Sequence, residues 1–480
     1  MKVRIDIMNH KRVTVLAASL GLLILALSTA GCGHTSLQSD PTAAGTKGRA
    51  HALVSQHVIS MLDGNTVNTT EFFRESPYID WVGNANNNTI GPAKTAGMKT
   101  FWYTEISRLK STDPLYGQLA AGDFAYTCTH VKVYAYAPGE QTPLYLTDPS
   151  SAHLRYLYET SGKFDGMADA ISNGADAIDY DAAAKWADLQ TPPPCHAPSY
   201  SVQWTRQDWI GASAQFLLQS AQDTHYGLGP NGLSTAMGYN GLDVLSTTGK
   251  WETPGPQFAS DIAAGTTPPS TTGLDAGGGF GGRDEGCYGP GGFRTQYTDR
   301  AYGNEWISYE NTEILVGLID NVRFICMYGY GLADTGQAVP GRMYGFASYV
   351  LTYNPQTDIL FDAFADSNTD QGDPEEQLVF LNPIGVSNSN LSLISSLAEP
   401  GGYGREYSSC YQNGILIGKC AVVVNPNKTG SMNWPFTGYT RTLTLNISAN
   451  GGTIVNGGSA TIGSPAPTAV GPGSAEIGYQ

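Results

Sequence analysis

Charge is scarce in this 480-residue chain: 14% of residues are Asp, Glu, Lys or Arg, and the basic ones number 26 against 42 acidic. The formal charge of −16 makes nucleic acid a poor partner. After the first 30 residues there is no long apolar run, so nothing further along reads as a membrane-spanning helix. Metal-ligand spacing is also missing. His130, His196 and His225 are scattered, and no cysteine pair has zinc spacing, so neither a metal nor a cofactor is expected. Self-similarity at solenoid length is absent.

What the chain has in excess is glycine, with 58 residues, and tyrosine, with 27. Together with frequent Asn and Ser they give a polar, aromatic surface with little charge. Such a surface suits neutral sugars, whose apolar faces stack on rings and whose hydroxyls bond to amides.

The N-terminus has the order of a bacterial export signal. Lys2, Arg4, Lys11 and Arg12 form a basic start, an apolar run from Val13 to Ala30 follows, and Ala30-Gly31-Cys32 resembles a lipobox. Residues 1–32 are therefore expected to be a leader whose Cys32 is lipidated, giving a lipoprotein held to the membrane through its N-terminus. An uncleaved anchor and ordinary cleavage remain as alternatives, and all three place the remainder outside the cytoplasm. The leader holds four basic residues and one acid, Asp6, a net +3, so the remainder carries −19. Residues 33–50 are rich in Ser, Gly, Thr and Ala and read as a flexible tether.

Setting Cys32 aside leaves six cysteines, an even set that allows three disulfides in an oxidising compartment. Cys410 and Cys420 flank a segment in which Asn413-Gly414 signals a hairpin turn, and a bridge across that hairpin is expected.

From His51 onward, short apolar runs alternate with helical spacing, the signature of βαβ units. Strand candidates are HVISML (57–62), YIDWVG (78–83), KTFWYTE (99–105), FDGMADAI (164–171), LSTAMGY (233–239), FGGRDEGCY (280–288), NVRFICMYGYG (321–331) and DILFDAF (358–364). Between Asp123 and Asp148 a period-two pattern interrupts them as a β-hairpin excursion. Eight repeats over residues 51–395 predict a TIM (β/α)8 barrel with insertions, a doubly wound open sheet being the alternative. After about Ser395 the helical signal disappears, and residues 396–480 read as a small C-terminal antiparallel β-sandwich.

Barrel active sites lie at the C-terminal ends of the strands, so carboxylates there carry most weight. The glycine-rich run from Gly277 to Gly292 holds Asp284 and Glu285 near the end of the sixth strand. FDGMADA places Asp165 and Asp169 on the expected fourth strand, and ADAIDYDAA offers Asp179 and Asp181 as a rival location. Facing carboxylates from strands four and six suit glycoside hydrolysis, which needs one protonated acid and one ionised nucleophile or base. Trp102, Asn240, Tyr288 and Tyr328 are candidate sugar contacts. Packing for Trp102 and Tyr328, and a plain turn for Asn240, are the competing readings.

The order FDGMADA, Tyr239-Asn240-Gly241, DEGCY, VRFICMYGYG, RMYGFASYVLTYNPQTDILF and YGREYSSCYQNGILIGKCAVVVNP resembles bacterial glycoside hydrolase-like TIM-barrel families, similar to the α-galactosidase and dextranase type of barrel. The resemblance runs from about residue 52 to the C-terminus. It implies Asp169 as nucleophile and Glu285 as proton donor; the two-carboxylate chemistry would need their pKa values pushed apart, Glu285 upward by burial beside Tyr288 and the aspartate kept ionised by hydrogen bonds. One departure stands out. Only Met167 and Ala168 separate Gly166 from Asp169, where the family pattern has three residues. The resulting expectation is an extracytoplasmic glycosidase acting on an extracellular or cell-envelope polysaccharide or oligosaccharide with two carboxylates. The alternative is a carbohydrate-binding surface lipoprotein on a barrel that has lost catalysis.

Overall fold

The computed structural model describes residues 56–60, 76, 81–105, 107–136, 141–161, 166–181, 195, 204–205, 208–209, 212, 216, 237–240, 280–285, 301–317, 322–328, 338–354, 358–362, 377–446 and 459–480. For 56–60, 84, 135–136, 179–181, 237–240, 280–285, 308, 312, 315–317, 322–328, 338–339, 342, 359–362, 389, 446 and 459 this is backbone alone. The leader with Cys32, the tether, Asp165 and Tyr288 lie outside the described residues.

The described residues begin with β1 (Gln56–Ser60) and β2 (Trp81–Ala85), then α1 (Ile90–Thr95) and β3 (Lys99–Glu105). An excursion follows, with β4 (Arg108–Lys110), β5 (Tyr134–Tyr136) and β6 (Pro143–Leu146) paired antiparallel in the order β4-β6-β5. Helices α2 (Ala152–Thr160) and α3 (Met167–Ser172) lead to β7 (Ala177–Asp181). Then come β8 (Met237–Asn240), β9 (Phe280–Glu285), α4 (Asn304–Gly317), β10 (Val322–Tyr328), α5 (Ala338–Thr352) and β11 (Ile359–Asp362). Strands β1, β2, β3, β7, β8, β9, β10 and β11 pair in parallel, each with the next in chain order, and β11 closes on β1.

One strand falls elsewhere than the sequence pattern suggested. Residues 167–172, inside the expected fourth strand, are α3, and the fourth strand of the ring is β7. MADAIS is rich in helix-forming alanine and carries Asp169 in its first turn, where an acid favours a helix N-terminus. IDYD (178–181), by contrast, alternates with period two.

The pleat sorts the strand residues into two faces. Val82, Trp102 and Ile178 are buried against Ile90 and Ala93 of α1, Leu154 and Tyr158 of α2, and Met167 and Ala170 of α3. Trp81 and Phe101 occupy the other face, each 1% exposed, with ring centroids 4.4 Å apart. In a closed ring the face turned away from the helices is the interior. Lys99 Nζ lies 4.9 Å from the Trp81 ring centroid, so the N-terminal end of this interior is an aromatic layer capped by a cation.

The C-terminal part contains β12 (Leu378–Ile384), β13 (Ala398–Glu399), β14 (Gly402–Gln412), β15 (Ile415–Asn425), β16 (Met432–Asn433), β17 (Arg441–Asn446), β18 (Ser459–Gly463), β19 (Ala469–Val470) and β20 (Ser474–Tyr479). One seven-stranded sheet runs β12-β14-β15-β20-β17-β18, with β13 on β14. Among the described residues, one face of this sheet packs on α5 and the other carries the two-stranded β16-β19 ribbon. The alternation on β15 explains both layers. Val422 and Val424 join the large core with Tyr344 and Leu351 of α5, while Val423 meets Met432 and Val470 of the ribbon. The β14-β15 turn places Asn413 and Gly414 at φ 52° and 74°, as a type I′ hairpin requires, and a disulfide joins Cys410 to Cys420.

Arg405 fixes α5 to this sheet. It is 2% exposed, its Nη1 donates to the Leu351 carbonyl at 3.0 Å and its Nη2 to the Val386 carbonyl at 3.2 Å. Tyr407 donates its hydroxyl to the Val350 carbonyl, and burial pushes its pKa up to about 12. Two side chains of β14 thereby satisfy carbonyls in the last turn of α5 that have no partner within the helix.

Candidate functional site

Strand pairing carries the interior face around the ring. Phe101 is the lateral partner of Ala177, Tyr103 of Asp179 and Glu105 of Asp181. Asp179 pairs with Gly238, Gly238 with Gly281, and Asn240 with Arg283. Arg283 pairs with Ile325, and Glu285 with Met327. Lateral partners in a parallel sheet share a face, and residues two apart along a strand share it as well. The interior face therefore runs through Tyr103 and Glu105 on β3, Asp179 and Asp181 on β7, Asn240 on β8, and Arg283 and Glu285 on β9. Further round, the same face carries Ile325 and Met327 on β10, then Ile359 and Phe361 on β11.

Polarity is thus unevenly placed. The N-terminal end of the interior is aromatic at Trp81 and Phe101, and the β10-β11 wall carries Ile325, Met327, Ile359 and Phe361 together with Arg323, the partner of Gly281. The C-terminal ends of β3, β7, β8 and β9 gather four acids, an amide and a guanidinium on one arc. Glu285 belongs to that face and Asp284, one residue earlier, to the opposite one. Asp181 and Glu285 are separated by two strand spacings, about 10 Å, with Glu285 about 7 Å further toward the C-terminal end. Both are at or next to the last residue of their strands. Glu105 accepts from Arg108 Nε just past the end of β3 and is 22% exposed, so its charge is already matched.

The expected site residues divide accordingly. Glu285 and Asn240 come together on the interior arc, joined by Asp179 and Asp181. Asp169 does not join them, because it lies on α3, outside the ring. Trp102 is 2% exposed and packs toward the helices, which makes it core and removes it as a sugar contact. Tyr328 follows Met327 and falls on the helix-side face of β10. Tyr103 and Glu105, at the end of the third strand, are readable from the sequence beside Trp102 as candidates to line a sugar subsite, whereas Arg283 carries no motif. Strand parity combined with register finds Arg283, but register is not readable before the pairing is known.

Two further features frame the arc. A disulfide links Cys128 of the excursion after β3 to Cys195 in the connection after β7, and Cys195 N donates to the Tyr126 carbonyl at 2.8 Å. Asp123, 1% exposed, ties the excursion to α2 by accepting from Ala120 N at 2.6 Å and from Ser151 Oγ, and by pairing with His153 Nδ1 at 2.7 Å. The segments leaving the C-terminal ends of β3 and β7 are thus bound to each other.

No family model and no curated protein sequence matches the chain. Among solved structures it is similar to a Paenibacillus sp. cycloisomaltooligosaccharide glucanotransferase complexed with cycloisomaltoheptaose, at 10% identity and a TM-score of 0.36. That match covers 90% of this chain and 56% of the other, so the chain spans little more than half the length of that protein. Eubacterium rectale Amy13B is similar at 8% identity and a TM-score of 0.41, covering 88% of this chain and 95% of the other. An α-galactosidase from Geobacillus stearothermophilus in complex with 1-deoxygalactonojirimycin is similar at 8% identity and a TM-score of 0.36, covering 88% and 55%.

Proposed function

We propose that the ring is a (β/α)8 barrel of the glycoside hydrolase type, acting on an extracellular or cell-envelope polysaccharide, with Glu285 as proton donor and Asp181 as its ionised partner. The observation that carries this reading is the common interior face of Glu285, Asp181, Asp179 and Glu105 at the C-terminal strand ends. Hydrolysis of a glycosidic bond needs one neutral and one charged carboxyl flanking the anomeric carbon. Asp181 replaces Asp169 in the second role because it is the β7 acid nearest to Glu285 in register. Arg283, two residues before Glu285 on the same strand, and Asn240 supply donors that hold the partner carboxyl ionised and bond sugar hydroxyls.

The chemistry follows from these positions. The Glu285 proton passes to the leaving glycosidic oxygen, while Asp181 attacks the anomeric carbon or takes a proton from the attacking water. A carboxyl separation of about 5 to 5.5 Å selects the first course with retention, and about 6.5 to 9.5 Å the second with inversion. A panel of neutral polysaccharides assayed for released reducing ends tests the assignment. Glu285→Gln and Asp181→Asn each lose release, and Asp169→Asn keeps it. Retained release in Asp181→Asn refutes the pair. Binding of a polysaccharide without turnover in the wild type selects a carbohydrate-binding surface protein instead.

The protein works tethered to the membrane through lipidated Cys32. The Cys128–Cys195 and Cys410–Cys420 disulfides support an oxidising, extracytoplasmic location. Detergent-phase partitioning of the wild type, lost in Cys32→Ser, is the expected outcome; equal partitioning of both refutes the tether.

A further inference from the structure

The β4-β6-β5 sheet begins beside the candidate arc, since Arg108 at the start of β4 pairs with Glu105 at the end of β3. Register runs laterally from Leu109 to Tyr145 and on to Tyr134, which places Tyr134 two strand spacings, about 10 Å, from β4. Tyr134 is 45% exposed and Val131 54%. The rings form a continuous row, with centroids 5.9 Å apart for Tyr134 and Tyr145 and 5.2 Å for Tyr145 and Tyr116. Phe124 backs the row at 5.2 Å from Tyr116. Lys132 holds it in place, its Nζ lying 3.6 Å from the Phe124 centroid and donating to the Tyr116 hydroxyl at 3.2 Å. The Cys128–Cys195 bridge fastens this excursion to the connection that leaves β7 beyond Asp181.

We infer that Tyr134, Tyr145 and Tyr116 form a glycan platform that receives sugar residues of a neutral polysaccharide flanking the bond presented to the carboxylate arc. The inference rests on the hydrolase reading above and extends it to substrate length. Ring faces stack on the apolar faces of pyranose units, while tyrosine hydroxyls and the Lys132 ammonium bond the sugar hydroxyls at the edges. Rings held by mutual packing and by a cation lose little freedom on binding, which favours a weak, extended ligand. A chain that reaches both platform and arc is held better than a short oligosaccharide that fills the arc alone.

Affinity electrophoresis of the full-length protein through gels containing dextran, galactomannan or soluble starch tests the platform, with hydrolysis assayed separately. Tyr134→Ala is expected to weaken retardation about five- to tenfold, from the worth of one stacked ring, and Tyr134→Phe to restore it. The exposed position of Tyr134 leaves the fold intact, and an unchanged near-ultraviolet circular dichroism spectrum verifies this. Wild-type retardation in Tyr134→Ala, or no retardation of the wild type in any gel, overturns the inference. Loss of retardation in Tyr134→Ala alongside full hydrolysis by Glu285→Gln leaves the platform standing and removes the hydrolase assignment. Binding to phosphatidylcholine vesicles that depends on Tyr134, without retardation by polysaccharide, assigns the rings to the membrane and also overturns it.

Discussion

Replacing Glu310 by Gln should stabilise the protein, and increasingly so as pH rises. Glu310 sits on α4 with no exposed surface, beneath α5 and the C-terminal sheet. Its Oε2 accepts from Thr352 Oγ1 at 2.6 Å, and its Oε1 has no hydrogen-bond partner among the described residues. Burial raises its pKa well above the ordinary 4.5, and the Thr352 hydrogen bond draws it only partly back. An acid whose pKa is higher in the folded than in the unfolded chain binds its proton more tightly when folded. Its contribution is complete below pH 4.5 and is lost as pH climbs toward the folded value. Within that window each pH unit removes about 1.4 kcal/mol, the worth of one proton held in one state and released in the other. Glutamine keeps an oxygen for Thr352 and has no proton to lose. Urea unfolding at 25 °C, followed by near-ultraviolet circular dichroism from pH 4 to pH 8, should give curves that nearly meet at pH 4 and diverge above pH 4.5, with Glu310→Gln the more stable. Curves that stay parallel, or a variant that loses ground as pH rises, would refute the reasoning.

Other outcomes follow from the same packing. Arg405→Met should cost about 3 kcal/mol, because it leaves the buried Leu351 carbonyl and the part-buried Val386 carbonyl without their donor; urea midpoints measure it. Gly402→Ala should destabilise by about 1–3 kcal/mol, since an added Cβ would lie 2.6 Å from the Val424 carbonyl oxygen and 2.3 Å from Met432 Sδ. Removing the Cys410–Cys420 bridge as a double serine variant should cost about 2–3 kcal/mol, the loop entropy of ten residues of separation, read as a lower melting temperature.

How much of this was legible in the sequence depended on whether neighbours or register decide the outcome. KTFWYTE was readable as a strand because branched and aromatic residues fill it, and β3 covers the same residues. Asn413-Gly414 announced its hairpin because few other dipeptides accept positive φ twice running. FDGMADAI misled because a short apolar run alternates and spirals equally well; its alanines and the acid in the first turn favour the helix, and Met167 and Ala170 pack it beside Tyr158. Trp102 looked like a sugar platform and is core, since a strand does not declare which of its faces meets the helices. The carboxylate arc was half visible. Glu285 and Asn240 could be named, but their company with Asp181, Asp179 and Glu105 needs the pairing of four strands far apart in sequence.

The central claim is that parity on β9 separates a working acid from an idle one, and adjacent substitutions test it most directly. On a polysaccharide that the wild type cleaves, kcat/KM for reducing-end release should fall about 10²–10⁴-fold in Glu285→Gln and stay near the wild-type value in Asp284→Asn. Loss in Asp284→Asn with retention in Glu285→Gln would contradict the account, because it would put the helix-side face of the strand, and not the interior, at the site of reaction.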